Sequence, residues 1–428
     1  MSKHYRDYSP AELNAELETL NKIYADYKAK NFNLTMARGI PGTEQVSISQ
    51  DMLTALKTPD DFFTEEGVDC RNYGILDGIP EAKRLFSELL DIPAQNIIVG
   101  GNSSLNLMYD AVARGMLYGV AGSTKPWGKY DKIKFLCPVP GYDRHFGVCQ
   151  SLGIDMINIP MYSDGPDMDL IEKYVSEDET IKGVWCVPKY SNPDGVVFSD
   201  EVVKRFAHLK PAAPDFRIFW DNAYAVHDLY DESCDLLNLF TEAKAAGNED
   251  IVFIFASTSK ISFPGAGVAV MCASDANIKQ IKSVMTFQTI GHDKVNQIRH
   301  VKYFKNAAGI LEHMKKHAEF LRPKFDIVLN TLEAQLAPVG IGEWVAPRGG
   351  YFVSLNLLDG TAKRAFELTK ALGVTLTPVG ATFPYGKDPR DRNLRIAPTY
   401  PSNKNLQQAI DILCLCAKIA AIEKFQGA

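Results

Sequence analysis

The sequence predicts an α/β fold, with a large domain built on a mostly parallel sheet between helices and a smaller α+β domain. Three observations support this. The chain has 428 residues, more than one domain usually contains. From about residue 78, β-rich segments alternate with helical patterns, which is typical of a parallel sheet covered on both faces. After about residue 300, a long helical segment and a hairpin-like "WVAPRGGYFVSLNL" replace that alternation.

The elements follow in order along the chain. The first ~30 residues predict an amphipathic helix, because Ser9 can cap it and Pro10 suits its first turn. The strands of the sheet are then expected in "NIIVGG", "KIKFLCPVP", "DMINIP", "IKGVWCVP", "RIFWDNAY" and "IVFIFAST". We therefore divide the chain into an N-terminal arm or small-domain segment (1–50), the large domain (51–305) and the C-terminal small domain (306–428).

Composition excludes several classes of function. The net charge is −6, and Lys and Arg are spread along the chain, which argues against a nucleic-acid or anionic membrane surface. No stretch approaches the roughly 18–20 uncharged apolar residues of a membrane span, and the N-terminus lacks a signal core, so a cytoplasmic protein is expected. Eight cysteines are scattered, and Cys414 and Cys416 lack zinc-ligand spacing, so we expect reduced thiols and no metal site.

The ends of the predicted strands carry the polar residues. An open parallel sheet builds its site at the carboxyl ends of its strands. Asn192 lies in an Asn-Pro-Asp-Gly turn, which alone is usually only a turn. Asp221 and Tyr224 follow a strand so apolar that an unpaired carboxylate there would be costly. The next strand, within "IFASTSKISFPGAGVAV", is followed by a single lysine, Lys260.

Lys260 suggests covalent chemistry. Desolvation at a dry strand end lowers the pKa of an amine, and the neutral amine is the form that attacks a carbonyl carbon, which suits Schiff-base formation. The hydroxyls of Ser257 and Ser259, with the backbone amides of "GGNSSLNLMYD", could bind a phosphate at a helix N-terminus. A glycine-rich turn alone is more often structural, but four such strand ends in this order are hard to explain by chance.

The motifs as a set resemble a known superfamily. Tyr-Gly, Gly-Asn-Ser-Ser, Pro-Gly-Tyr, Asn-Pro-Asp-Gly, Asp-Asn-Ala-Tyr, Ser-x-x-Lys and Asn-Leu-Arg-Ile-Ala occur in this order over about residues 35–400. This order resembles the fold-type I pyridoxal-phosphate enzymes of the class I and II aminotransferase superfamily. "LTMARGIPGTEQVSIS", "PGYDRHF" and "KVNQIRHV" are similar to the bacterial aspartate aminotransferase subgroup called type Ic. The resemblance implies a seven-stranded sheet in the large domain.

The resemblance also implies roles for individual residues. Lys260 would hold pyridoxal 5'-phosphate as a Schiff base and shuttle a proton, and Asp221 would pair with the pyridine nitrogen. Asn192 and Tyr224 would contact the phenolic oxygen, and Tyr142 would stack on the ring. The phosphate contacts would be Asn102, Ser103, Ser104, Ser257 and Ser259, with Tyr73 reaching in from the second subunit of a homodimer.

The implied reaction is transamination of L-aspartate with 2-oxoglutarate, giving oxaloacetate and L-glutamate. Arg395 would bind the substrate α-carboxylate, with Gly39 and Asn192 nearby. A dicarboxylate needs a second cation, for which Arg144 is the first choice and Arg38 and Arg299 are reserves. Aromatic or other neutral amino acids remain an alternative, as does a lyase reaction on the same scaffold. A non-catalytic sensor is disfavoured, because the ~35 residues before the first motif are too few for a winged helix.

One position departs from the superfamily pattern. An arginine that contacts the phosphate commonly follows the lysine in Pro-Gly-x-Arg, but here Gly267 stands in its place. Another cation or additional neutral donors would have to offset the phosphate charge. His145 and His227 also follow strand-end motifs, and we interpret both as structural.

Overall fold

The computed structural model describes residues 3–427, so the ends of the first and last predicted segments, residues 1, 2 and 428, lie outside the described residues. Within them are thirteen α-helices: α1 (Pro10–Lys28), α2 (Thr43–Ser47), α3 (Pro80–Leu90), α4 (Ser104–Tyr118), α5 (Asp143–Ser151), α6 (Met168–Glu177), α7 (Asp200–Ala207), α8 (Leu239–Ala245), α9 (Asp275–Gln288), α10 (Lys294–Phe304), α11 (Ala307–Gln335), α12 (Ala362–Ala371) and α13 (Asn403–Phe425).

The same described part of the chain contains thirteen strands. They are β1 (Leu34–Thr35), β2 (Ile97–Val99), β3 (Lys134–Val139), β4 (Asp155–Tyr162), β5 (Gly165–Pro166), β6 (Ile181–Cys186), β7 (Arg217–Asp221), β8 (Val252–Ser257), β9 (Ala269–Ala273), β10 (Gly342–Trp344), β11 (Val353–Leu357), β12 (Val374–Thr375) and β13 (Asn393–Ile396). All six segments predicted as strands of the sheet are strands.

The large sheet has eight strands within residues 3–427, in the order β2-β9-β8-β7-β6-β3-β4-β5. The pairs from β4 through β3, β6 and β7 to β8 are parallel, which confirms the mostly parallel sheet. The pairs β2-β9, β8-β9 and β4-β5 are antiparallel. The sheet has one strand more than the seven expected, and the two-residue β5 is the shortest of the eight.

The alternation of side chains along the central strands explains why they are buried on both faces. Phe219, Phe253 and Phe255 belong to a core cluster on one face of the sheet. Ile218 and Ile254, their neighbours in sequence, belong to the cluster on the other face. Successive residues of a strand point to opposite faces, so apolar residues at every position require a cover of helices on both sides.

The small domain has its own core. Strands β10, β11 and β13 form an antiparallel sheet, and α12 and α13 pack in the same cluster. By length and composition, helix α13 is apolar enough to cross a membrane, whereas the sequence analysis expected no segment of that kind. However, 72% of its apolar window is buried inside the protein. Burial in a protein core explains its apolar sequence without a membrane.

Two helices connect parts of the chain that are distant in sequence. In α1, the predicted helix is confirmed: Ser9 caps it in a capping box with Glu12, and Leu13 and Leu20 reach the small-domain core. Helix α11 is shared between cores. Near its start Ile310 packs in a cluster with large-domain residues, whereas its second half packs in the small-domain core, through Leu321, Phe325, Val328 and Leu332.

Candidate active site

A cavity of about 710 Å³ lies at the carboxyl ends of the central strands, and most of the predicted site residues line it. From the large domain these are Ser103, Ser104, Tyr142, Arg144, Asn192, Asp221, Tyr224, Ser257, Ser259 and Lys260. The N-terminal segment adds Arg38 and Gly39, and strand β13 of the small domain adds Arg395. The fold thus brings together in one cavity residues from three separate parts of the chain.

Lys260 lies three residues after the end of β8. Its Nζ atom is 4.9 Å from the ring centre of Tyr224 and 5.7 Å from that of Tyr351. Burial lowers the pKa of the Lys260 amine from its ordinary value, and the neighbouring Asp221 carboxylate opposes this shift. The net effect is a lowered pKa, which is the direction that the position of the lysine after a dry strand predicts.

Asp221, the last residue of β7, is 3% exposed and only partly satisfied. Its Oδ2 atom is 3.1 Å from Nε2 of His145, whose ring stacks on Trp185 with centroids 4.4 Å apart. Its Oδ1 atom is buried and has no hydrogen-bond partner among residues 3–427. A buried carboxylate oxygen without a partner is costly, so this oxygen is an acceptor suited to a donor from a bound molecule.

His145 is therefore more than a core residue. We interpreted it as structural from the sequence, and its stacking on Trp185 agrees, but it also fixes one oxygen of Asp221. His227 has no side-chain hydrogen bond: both of its ring nitrogens are buried without a partner among residues 3–427. It is buried beside Tyr224 and Tyr351, and burial lowers its pKa well below the ordinary value.

The two tyrosines of the cavity stay protonated. Burial, followed by the charge of Asp221, raises the pKa of Tyr142 to about 12. Burial raises the pKa of Tyr224 well above its ordinary value, with the nearby Tyr142 and Asp221 adding to it. Both phenols are hydroxyl donors at neutral pH. Asn192 is buried and lines the same cavity.

A group of hydroxyls lies at one end of the cavity, beside the N-terminus of α4. Ser103 is the N-cap residue of that helix and Ser104 its first residue. The Ser257 hydroxyl donates to Oγ of Ser259 at 3.0 Å, and the Ser259 hydroxyl donates to the backbone carbonyl of Asn102 at 3.3 Å. Hydroxyls and unpaired amides at the positive end of a helix suit a phosphate.

The Asn102 side chain does not join this group of hydroxyls. Its side-chain amide donates to the carbonyls of Pro264 and Gly265, at 3.4 Å each, and it does not line the cavity. Of the predicted phosphate contacts, Asn102 therefore supplies only its backbone to this arrangement.

A side chain at Gly267, where an arginine is expected, would be crowded from its first atom. A Cβ atom there would lie 3.0 Å from Oγ1 of Thr258 and 3.1 Å from the carbonyl oxygen of Phe263. These distances are shorter than ordinary van der Waals contact, and one neighbour is backbone. The departure from the superfamily pattern is thus part of the local packing.

Arg395 is held by several partners. Its Nη1 atom donates to Oδ1 of Asp143 at 2.8 Å and to Oδ1 of Asn192 at 3.3 Å. Its Nε atom is 3.4 Å from the Thr377 hydroxyl, and its guanidinium carbon lies 4.9 Å from the ring centre of Phe352. A Cβ atom on Gly39 would come within 2.2 Å of that ring, so glycine lets the N-terminal segment lie against Phe352.

Arg144 and Arg38 differ from Arg395 in exposure and in hydrogen bonding. Both are exposed and line the cavity, and neither side chain makes a hydrogen bond or ion pair with any described residue. Arg299, the other reserve, does not line the cavity, and its guanidinium donates to the side chain of Asn296. Tyr73 is also absent from it and is 82% exposed on another surface.

Comparison with known proteins identifies the family. A family model described as aspartate amino-transferase matches residues 8–428. The Corynebacterium glutamicum protein named aspartate aminotransferase is 41% identical over 420 residues, covering 98% of this chain and 97% of the relative. The chain belongs to the aspartate aminotransferase family. The resemblance noted in the sequence is confirmed, and the protein is an aminotransferase.

Two further relatives match different shares of the chain. The crystal structure of an aspartate transaminase from C. glutamicum superposes with a TM-score of 0.96 and 40% identity, covering 99% of this chain and 100% of that one. It confirms the aspartate aminotransferase-like fold. The aromatic-amino-acid aminotransferase 1 of Thermococcus litoralis is 28% identical over 262 residues, which is 60% of each chain.

Pyridoxal 5'-phosphate is the cofactor that this family implies, and the cavity fits it. The partnerless oxygen of Asp221 suits a protonated pyridine nitrogen, the amine of Lys260 suits an aldehyde, and the hydroxyls beside α4 suit a phosphate. Within residues 3–427, no group of three His, Cys, Asp or Glu side chains is placed to hold a metal ion.

Sequence reasoning missed three residues of the cavity that contact Arg395. Asp143 lies between Tyr142 and Arg144 in "PGYDRHF", and its position between two selected residues was a usable signal. Phe352 and Thr377 come from the small domain and have no motif of their own. Only the fold brings them to Arg395.

Proposed function

We propose that this aminotransferase transfers the amino group of L-aspartate to 2-oxoglutarate, giving oxaloacetate and L-glutamate. The observation that carries the proposal is the set of arginines in one cavity with Lys260: Arg395 is buried, and Arg144 is exposed with no partner among the described residues. Both substrates and both products are dicarboxylates, so each has one carboxylate for either arginine. The name of the C. glutamicum relative, aspartate aminotransferase, supports the same choice.

The roles of the chain's own residues follow from their positions. When bound, the cofactor supplies an electron sink for negative charge at the substrate Cα. Lys260 Nζ, whose pKa is lowered by burial, would take up the Cα proton. Asp221, whose Oδ2 contacts His145 and whose Oδ1 has no partner among the described residues, would keep a proton on the pyridine nitrogen. Asn192 and Tyr224 would contact the phenolic oxygen, and Tyr142 would cover the ring.

The remaining residues bind the charged ends. Ser103, Ser104, Ser257 and Ser259 would hold the phosphate, with the N-terminus of α4. Arg395 binds the α-carboxylate, close to Gly39 and Asn192. Arg144 binds the distal carboxylate, with Arg38 as its reserve.

The proposed enzyme is a cytoplasmic homodimer with shared active sites. Tyr73 and Phe287, 82% and 89% exposed, are large side chains on the surface of one chain. Large exposed apolar groups of this kind are expected at interfaces between subunits. Tyr73 would contact the phosphate in the partner's cavity.

A substrate panel tests the proposed reaction. Wild-type enzyme, loaded with cofactor, is given single amino acids, and the half-reaction is followed by stopped-flow absorbance. Aspartate and glutamate are expected to react with kcat/KM at least ~10²-fold above alanine and phenylalanine, because a second ion pair adds binding energy. Equal reaction with neutral amino acids would favour the aromatic or neutral alternative, and release of ammonia or CO₂ would favour a lyase.

A further inference from the structure

Arg395 is already paired with a carboxylate of its own chain. Oδ1 of Asp143 lies 2.8 Å from Nη1 of Arg395, and this ion pair lies on the wall of the main cavity. The Arg395 side chain is 8% exposed and the Asp143 side chain 31%. A buried guanidinium without a counter-charge is unfavourable, so the pair stabilises the cavity when it holds no substrate.

Asp143 occupies one of the two donors that an end-on contact between Arg395 and a substrate carboxylate would use. A carboxylate binds an arginine best through two parallel N–H donors. Nε of Arg395 is directed to Thr377, at 3.4 Å, and Nη1 to Asp143 and Asn192. Nη2 makes no hydrogen bond with a described residue, so an end-on, two-pronged contact would use Nη1 and Nη2 and would displace Asp143 from Nη1. Like charges would also oppose the presence of both carboxylates at one guanidinium.

We propose that Asp143 is an internal competitor of the substrate: it occupies Arg395 in the empty cavity and gives way to the α-carboxylate of each amino acid and oxo acid. The inference rests on the proposed role of Arg395. Because Asp143 is the more exposed partner, its carboxylate can be hydrated after displacement, whereas Arg395 stays buried against Phe352. The pair re-forms when the product leaves.

The competitor determines affinity rather than the rate of the chemical step. The work of separating Asp143 from Arg395 is the same for any α-carboxylate, so the apparent affinity is lowered equally for the amino acid and for the oxo acid. An effect that is equal in the bound substrate and in the transition state changes KM more than kcat. Both half-reactions should therefore show it.

A purely structural role for Asp143 predicts the opposite sign. If Asp143 only orients Arg395, its removal leaves the guanidinium misplaced, and carboxylates bind less tightly. If Asp143 competes, its removal makes them bind more tightly. The direction of the change in affinity therefore separates the two roles.

The experiment measures binding of succinate, a dicarboxylate with no amino or oxo group, to the cofactor-loaded enzyme by isothermal titration calorimetry. Asp143→Asn is expected to bind succinate about tenfold more tightly than wild type, because the competing charge is gone. Asp143→Ser, a second variant without a carboxylate, should shift the dissociation constant in the same direction. Unchanged or weaker binding in both variants overturns the inference.

Two controls separate this inference from the proposed function. Asp169→Asn removes a carboxylate that is paired with Arg205 at 2.6 Å outside the cavity, and it should leave succinate binding unchanged. Arg395→Gln should weaken succinate binding in the wild-type and Asp143→Asn backgrounds alike. If Arg395→Gln weakens neither, the proposed role of Arg395 fails. If it weakens both while Asp143→Asn does not tighten binding, only the competitor role fails.

Steady-state kinetics give an independent readout. In Asp143→Asn, KM for aspartate and KM for 2-oxoglutarate should fall by similar factors, and the fall should exceed any change in kcat. A fall in kcat with both KM values unchanged would overturn the inference, since it would place Asp143 in the chemical step.

Discussion

The two walls of the main cavity are built in different ways. One, the sheet-edge wall, consists of Asp221, Ser257, Ser259 and Lys260, which end or follow two adjacent strands, β7 and β8, of the large sheet. The other, the facing wall, consists of Arg38, Asp143, Arg144 and Arg395, which come from the N-terminal segment, helix α5 and strand β13.

The difference between the two walls separates the residues of the chemical step from the residues that select the substrate. The residues of the sheet-edge wall are fixed by two strands packed between the same cores, so an amine, a carboxylate and two hydroxyls keep constant relative positions. The facing wall holds three arginines and one aspartate from three parts of the chain, so its charge can change without altering the sheet. The first wall suits a constant reaction, and the second suits the choice of substrate.

The largest expected effect is at Lys260 in the sheet-edge wall. Lys260→Ala should lower kcat by about 10⁴-fold or more for every substrate alike, because it removes the proton acceptor. In wild-type enzyme, borohydride reduction followed by peptide mapping should find the cofactor on the peptide that contains Lys260. An adduct on Lys189, which lies buried against the carbonyl of Ala225, would contradict the assignment.

Asp221 is expected to have the next largest effect. Asp221→Ala should lower kcat by about 10³-fold, again equally for all substrates, because the pyridine nitrogen loses the charge that keeps it protonated. Absorbance of the bound cofactor checks that it is retained. His145→Asn is a matched variant that removes the contact with Oδ2 together with the stacking on Trp185 but keeps the Asp221 carboxylate, and its loss should be smaller. Near-wild-type turnover in Asp221→Ala would show that the carboxylate is misassigned.

The facing wall should show the smallest loss, but a selective one. Arg144→Ala should lower kcat/KM for aspartate and glutamate by about 10²-fold and leave alanine nearly unchanged, because only the dicarboxylates lose an ion pair. Arg38→Ala is the matched control on the same wall. If Arg38→Ala has the selective effect and Arg144→Ala has none, the distal carboxylate belongs to Arg38. An equal loss for alanine would break the division between the two walls.

The sheet-edge wall could be predicted from the sequence because its signals are local. An apolar strand followed at once by Asp221, or after three residues by Lys260, places that side chain at a sheet edge by backbone geometry alone. The six predicted strands and the mostly parallel sheet follow from the same patterns. The two-residue strand β5 carries no comparable signal, and the sheet was expected to have one strand fewer.

The contacts between the two walls and across the facing wall could not be predicted in this way. Asp143 and Arg395 are 252 positions apart, and the Asp143 side chain in "PGYDRHF" looks like an ordinary acidic residue in the first turn of a helix. The contact of His145 with Asp221 is likewise formed only when α5 packs beside β7. For Gly267 the sequence indicated the departure, and the packing at Thr258 and Phe263 gives its physical reason.

Helix α11 has a consequence for how the protein unfolds. This single helix of 29 residues has Ile310 in a large-domain cluster and Leu332 in the small-domain core. If one core melts while α11 stays continuous, the helix pulls apolar side chains out of the other core. Heat or denaturant should therefore melt both cores as one cooperative unit. The coupling between the cores should be weakest in the turn before Pro323, because the proline ring removes a backbone hydrogen bond there.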